Sequence, residues 1–339
     1  MLKKRILVSC LLSIGLFGLV EHSYATESDF SSFSVEGIPN EKQLDPDAGY
    51  FYLREEPGSQ DKLKLKIQNN SSEKKTFTIK VTDANTNSNG LIDYTGQLPN
   101  ASELALPLTS VINPKQQEVT VSKNSIAEAN IDISMPKEPQ PGVLMGGIVV
   151  SEKKDNENES KTISIGNTYS YTLGVLLTNE NDKIFNKNIS VQLKNVEAKL
   201  SNGRKIIQGA VLNNNPYVFG TATMTGKVVE ERSTKIVKEK KQNDINIAPY
   251  SVFPFQIDYK KDELRAGNYV FEGNIKTKEK TWHFSKKFVI TEKEAQDINN
   301  KSVFRLHIPS WLIYSSYILA ILNLLLLILI FLIWGKKHE

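Results

Sequence analysis

The sequence predicts an all-β protein: two consecutive antiparallel β-sandwiches followed by one C-terminal apolar helix. Three observations carry this. Apolar residues alternate with polar ones at a period of two through most of the chain, the signature of strands with one buried and one wet face. Polar turns rich in Asn, Ser and Gly separate these runs, and helical periodicity is scarce. Finally, 311–334 reads WLIYSSYILAILNLLLLILIFLIW, with no charged residue.

Taken in order, the first twenty-five residues form an export signal. Lys3-Lys4-Arg5 precede an apolar stretch from Ile6 to Val20, and Ser23-Tyr24-Ala25 supplies a small-x-small site, placing cleavage after Ala25. Leu7-Val8-Ser9-Cys10 looks like a lipoprotein box but opens the apolar run when it should close it. With the signal removed, the chain has no cysteine, so neither disulfides nor thiol chemistry are available. Export without cysteine, together with many Lys and Asn, points to a Gram-positive cell surface.

The first unit spans 26–155. Leu63, Leu65 and Ile67 alternate with Lys64, Lys66 and Gln68; Asn69-Asn70-Ser71-Ser72 turns; Phe77, Ile79 and Val81 resume. Val119 and Val121, then Ile131, Ile133 and Met135 follow, and 146–150 (GGIVV) closes the unit as a buried strand. Ser151 to Ser160 is a polar loop near the boundary; the strand pattern after it, 163–177, could still pair with the first unit. The second unit spans 156–291. It contains Ile189-Val191-Leu193, Val211-Leu212, Phe253-Phe255-Ile257-Tyr259, Tyr269-Phe271 and Trp282-Phe284. Pro254 requires an edge or a bulge, and Lys286-Lys287 suggests a bulge. Both units are expected to be immunoglobulin-like. The polar stretch 292–310 reads as a stalk.

At about 1.5 Å per residue, a helix over 311–334 matches the roughly 30 Å hydrocarbon core of a bilayer. Trp311 and Trp334 sit at its ends, Lys336 and Lys337 begin a cytoplasmic tail (335–339), and Asn323 lies near the middle. An amide there needs a partner, which points to helix association or to a single tolerated polar residue. The expected placement is a single-pass membrane protein with both sandwiches outside.

Composition excludes much chemistry. Of four histidines, only His283 lies within the sandwiches, between Trp282 and Phe284 on a strand that turns it to solvent. Histidine-dependent nucleophilic catalysis and His-rich zinc sites need more. No phosphate-binding glycine loop is present. A net charge of +4 with interspersed signs gives no nucleic-acid stripe. Acidic residues are plentiful, so carboxylate hydrolysis stays open. One loop stands out: Asn85, Asn87, Asn89, Gly90 and Asp93 occupy positions 1, 3, 5, 6 and 9 of a calcium loop, but Gly96 stands where a bidentate Glu belongs. Three readings of this loop remain open: calcium, a purely structural turn, or a glycan or partner contact in which Tyr94 stacks on sugar. Leu106-Pro107-Leu108-Thr109-Ser110 looks like a sortase signal, but its mid-domain position makes it a loop.

The layout resembles the WxL-interacting proteins of Gram-positive bacteria. The matching pieces are 85–94 (NTNSNGLIDY), Pro141-Gly142-Val143 and Gly146-Gly147-Ile148 in the first unit. In the second they are Asn202-Gly203-Arg204, Asn213-Asn214 with Pro216, Ala248-Pro249-Tyr250-Ser251, Leu264 to Tyr269, and Trp282-His283-Phe284 with Phe288. Tyr250 departs from the small polar residue expected there, putting a local turn in question. The resemblance implies a non-enzymatic, membrane-anchored adaptor without a cofactor. Its first domain would bind peptidoglycan. Its other partners would be WxL-domain proteins and host extracellular-matrix or surface proteins, with a single span in the membrane and no nucleic acid. The alternatives are a wall-acting carboxylate hydrolase and an accessory chaperone for surface-protein assembly.

Overall fold

The computed structural model describes residues 32–153, 169–181, 185–187, 189–304 and 310–335. The expected signal peptide, Ala25, Lys336 and Lys337 lie outside them. Alternation becomes strand wherever it was strongest. The first sandwich sets β1 (Phe33–Ile38), β3 (Gln60–Asn69), β9 (Ser125–Ser134) and the short β7 (Ile112–Asn113) in one sheet, in the order β1-β3-β9-β7. The facing sheet runs β2 (Phe51–Arg54), β11 (Ser170–Thr178), β10 (Leu144–Glu152), β4 (Lys75–Asp83), β8 (Gln116–Val121). A hairpin of β5 (Asn85–Thr86) and β6 (Ile92–Asp93) stands apart. Strand β11 lies beyond the polar loop at 151–160, yet it pairs with β10 and, in parallel, with β2.

The second sandwich repeats the plan. The sheet β12 (Val191–Ser201), β13 (Arg204–Asn213), β16 (Val252–Asp258) faces β15 (Ile236–Ile247), β14 (Phe219–Glu230), β17 (Gly267–Lys276), β18 (Thr281–Ile290). Strand for strand, β12-β13-β16 answers β1-β3-β9, and β18-β17-β14-β15 answers β11-β10-β4-β8. Pro254 sits on β16, an edge strand, where its missing N–H removes no ladder bond. The bulge expected at Lys286-Lys287 does not form: β17 and β18 pair in unbroken register from Gly267–Ile290 to Lys276–Thr281. Lys286 shares the face of Phe284 and Phe288 and spends its ammonium on the carbonyl of Lys194, so one charge is tolerated on that face.

Each sandwich has its own core, with Leu65, Ile67, Phe77 and Ile148 fully buried in the first and Phe219, Phe253, Phe255 and Phe271 in the second. Both are tied by the same polar device. Asn69 ends β3; its amide nitrogen donates to the carbonyls of Glu73, Val121 and Ser122 at 2.8–3.1 Å, and its oxygen accepts from Ser71. Asn213 ends the equivalent β13 and donates to Tyr217, Ile247 and Ala248 at 2.9–3.2 Å, while accepting from Asn215. Both are fully buried. Each joins the end of one strand to the end of the corresponding strand across the sandwich, β8 or β15.

The polar stretch after the second sandwich is not a free stalk. Helix α1 (Glu292–Lys301) starts at a capping box of Thr291 and Glu294 and buries Ala295 and Ile298 in the second core. Helix α2 (Ser310–Gly335) forms over the apolar run, but the membrane span expected there is corrected. Among the described residues, no helix is long and apolar enough to cross a membrane. The transmembrane helix, the membrane as a partner and the single-pass placement fall with it. Trp311 is exposed, the side chain of Trp334 lies outside the described residues, and Asn323 donates to the carbonyl of Leu319 in its own helix at 2.9 Å, so its amide has a partner without a second helix.

Replacing either amide tie leaves several carbonyls of a closed core without a donor. Asn69→Ala and Asn213→Ala should each destabilise their domain by about 2–4 kcal/mol in urea unfolding, whereas the exposed Asn70→Ala should stay within about 0.5 kcal/mol. Equal effects at 69 and 70 would refute the tie.

Candidate functional site at the domain joint

The two equivalent central hairpins differ in one respect. In the second sandwich β14 turns into β15 within a few residues; in the first, residues 84–115 intervene between β4 and β8. Asp83, the last residue of β4, anchors this insertion: its carboxylate accepts from the backbone N–H and hydroxyl of Thr109 and from the Asn100 amide at 2.8–3.0 Å. The insertion then lies against the second sandwich.

The residues singled out from the sequence sit at that contact. Asn85 is buried, its amide donating to Asn100 Oδ1 at 2.9 Å and to the Leu98 carbonyl at 3.3 Å. Asn87 Oδ1 accepts from the backbone of Asn89 and Leu91, a turn closed by the side chain. Gly90 is at φ +72°, and a Cβ there would fall 3.0 Å from Ile245 and 3.1 Å from Gln242 of the second domain. Its carbonyl accepts from Asn246 N–H at 2.7 Å. Asp93 Oδ1 accepts from Thr95 N–H at 2.9 Å and Thr95 Oγ1 at 2.6 Å. Tyr94 is half-buried; burial first, and the nearby Tyr50 second, push its hydroxyl up to about 12. Asn89 is exposed. Among the described residues, no group of three or more His, Cys, Asp or Glu gathers to hold a metal.

Residues that the sequence offered only as pieces of the family pattern, not as site candidates, complete the joint. Thr86 is buried; its hydroxyl accepts from Ala248 N–H and meets Ser251 Oγ, both at 3.0 Å. Around it Ala84, Val143, Met145 and Leu176 of the first domain pack with Val218 and Ala248 of the second as a third apolar core. Gly142, at φ +73°, brings its backbone so close to the second domain that a Cβ would lie 2.1 Å from the Pro216 carbonyl; Val143 N–H donates to that carbonyl at 3.0 Å. Tyr250 closes the edge of the contact at φ +50°, lining a cavity of about 140 Å³ with Leu104, Pro141 and Met145. The turn in question does form, and the left-handed backbone explains why Asn would suit it better.

Glu180 ties the linker to both sides. Its carboxylate accepts from Gly142 N–H (2.9 Å), Tyr217 Oη (2.6 Å) and Lys187 Nζ (2.6 Å). Burial opposes ionisation there, but Lys187, Tyr217 and the Gly142 N–H outweigh it and hold the group at about 2. A second carboxylate cluster lies in the first domain. Lys42 bridges Glu55 and Asp61 at 2.7 and 3.1 Å. Burial raises Glu55, while hydrogen bonds from Asn40, Lys62 and the neighbouring groups overcome burial and hold Asp61 at about 2. His283 is exposed and shares a hydrogen bond with Asn274.

Two domain models of one family match this chain in order: the peptidoglycan binding domain of the WxL Interacting Protein over 33–152, and its host binding domain over 160–300. The chain therefore belongs to the WxL-interacting proteins and is built from their two domains. No curated protein matches it. Solved structures similar to it include the class 5 fimbriae chaperone CfaA (14% identity, 76% of this chain and 100% of that one, TM-score 0.29). Others are the E. coli chaperone DraB (14%, 76% and 98%, 0.28) and a PapD-like domain of human CEP192 (12%, 48% and 97%, 0.28). Such TM-scores carry no argument about function. The membrane-anchored form of the expected adaptor is corrected; what the domain models support is the peptidoglycan- and host-binding character of the two units.

The ordinary carboxylate value of 4.5 lies above that of Glu180 in the folded protein. The clasp is therefore complete above about pH 4.5 and is lost as pH falls toward 2. Fluorescence transfer between dyes on the two domains should drop across that window in the native chain and be flat across it in Glu180→Gln. Gly142→Ala should loosen the joint at neutral pH, splitting one thermal transition into two.

Proposed function

We propose that the chain is a two-domain binding protein that holds peptidoglycan with its first domain and a host or WxL-domain partner with its second. The ordered match of both domain models is the observation that carries this reading. The joint adds a mechanical element. A buried apolar contact, two buried hydroxyls and a four-group carboxylate clasp make the two sandwiches one body, so a force on the distal domain reaches the wall contact without a slack hinge. Within the loop, Asn89 projects outward and the half-buried Tyr94 offers a partly accessible ring; amides and aromatic rings suit sugar hydroxyls and sugar faces. We assign the loop a rim contact to glycan on that basis.

A second reading keeps the binding and changes its purpose. Strand β15 pairs with β14 alone, leaving the outer backbone edge of 236–241 without a ladder partner among the described residues. An edge of this kind can accept another protein's strand, which suits an accessory that holds WxL-domain proteins during assembly.

The test offers the purified chain separately to insoluble peptidoglycan and to a WxL-domain protein. Retention on both is expected, without release of soluble wall fragments; retention on neither would overturn the reading. Asn89→Ala should weaken wall retention about threefold at an unchanged melting temperature. Proline substitutions in 237–241 that abolish WxL capture would favour the assembly reading over simple adaptation.

A further inference from the structure

The second sandwich has two poles. Strand β13 ends at Asn213, in the joint, and begins at Arg204, about 30 Å away at some 3.3 Å per residue. At that far pole lies a cavity of about 720 Å³ between the start of β15, the turn after β16 and the end of α1. Lys205 is one of its lining residues. This side chain is 2% exposed, yet among the described residues its ammonium makes no hydrogen bond and no ion pair. The carboxylate that feels its charge, Asp262, is already paired with Lys238, so Lys205 shares its counter-ion, and a buried lysine short of charge partners is costly. Nothing in the fold asks for it: β13 is held there by Tyr259 N–H on the Lys205 carbonyl, at 2.9 Å, which any residue would supply.

The surroundings are mixed in charge. Lys235, Lys238, Lys261 and Arg265 also line the cavity. Against these five cations stand Glu230, Asp262 and Glu263. Asp262 is taken by Lys238, whose hydrogen bond and charge hold its carboxyl below the ordinary range, with Lys205 adding to the effect. Glu230 accepts from Ser233. The wall therefore presents a surplus of positive charge, with Glu263 and the amide of Asn300 beside it as polar contacts.

We propose that this cavity binds an acidic sugar, whose carboxylate or sulfate pairs with Lys205 and whose hydroxyls meet the carboxylates and amides around it. A saccharide fits better than an acidic peptide, because it brings one anionic group with many hydroxyl donors, and both acceptors and cations line the wall. The proposal rests on reading 160–300 as a host-binding domain and places its ligand at the pole turned away from the peptidoglycan-binding domain.

The test titrates the full chain by calorimetry with a sulfated, glucuronate-containing tetrasaccharide, its desulfated counterpart, and an uncharged tetrasaccharide. Binding is expected for at least one acidic probe and not for the neutral one; the two acidic arms separate sulfate from carboxylate recognition. Lys205→Met should lower acidic-sugar affinity at least tenfold while leaving the melting temperature equal or higher, since it removes a buried charge that makes no hydrogen bond and no ion pair of its own among the described residues. Lys261→Glu, at the exposed rim, should lower it severalfold without touching the core. Equal affinity in Lys205→Met, or a falling melting temperature with unchanged binding, would make Lys205 structural and overturn the proposal. If a host matrix protein still binds while no acidic sugar does, the pocket assignment fails and the host-binding reading survives; if neither binds, both fail.

Discussion

The contact that organises this molecule is the seat of the first domain's insertion on the second sandwich. Residues 84–115 leave the β4–β8 hairpin, where the second sandwich has only a tight turn, and bring Thr86 and Gly90 against Ala248, Ser251 and Asn246. The apolar side chains beneath them form a core belonging to neither domain alone. Without that seat, two similar sandwiches would hang on a linker. With it, the two sandwiches meet through a shared apolar core and backbone hydrogen bonds.

Repetition makes the seat informative. The two sandwiches share strand order, and each closes its end through a buried asparagine that reaches across to the end of the equivalent strand. What differs between them is therefore where function and assembly were added. The first domain gained strand β2, the small hairpin and the long insertion. The second gained helix α1, docked over the pole that holds Lys205. One pole of the second domain is committed to the joint, and the other is lined by charge.

Polar groups in this protein divide by their partners. At the joint, Glu180 has three donors and stays ionised far below the usual range. At Asn69 and Asn213 every polar atom is used. Lys205 differs: its side chain is buried in the cavity wall, and the carboxylate that feels its charge, Asp262, is already paired with Lys238.

The sequence alone determined the sandwiches, because a period of two and polar turns are local properties that leave a strand little choice of face. It also determined the protein family, through motifs whose order spans both domains. The helix over the final apolar run was legible for the same local reason, while its reading as a membrane span did not hold. Tertiary structure decided the rest. It sent β11 back to the first sheet, kept Lys286 in register without a bulge, and turned a polar loop with calcium-like spacing into part of a domain joint. Spacing along a chain cannot tell whether an asparagine faces water or a neighbouring domain, since both leave the same local pattern. That choice depends on which distant surface the fold brings opposite, and only Ala248, Ser251 and Pro216, far along the sequence, could settle it.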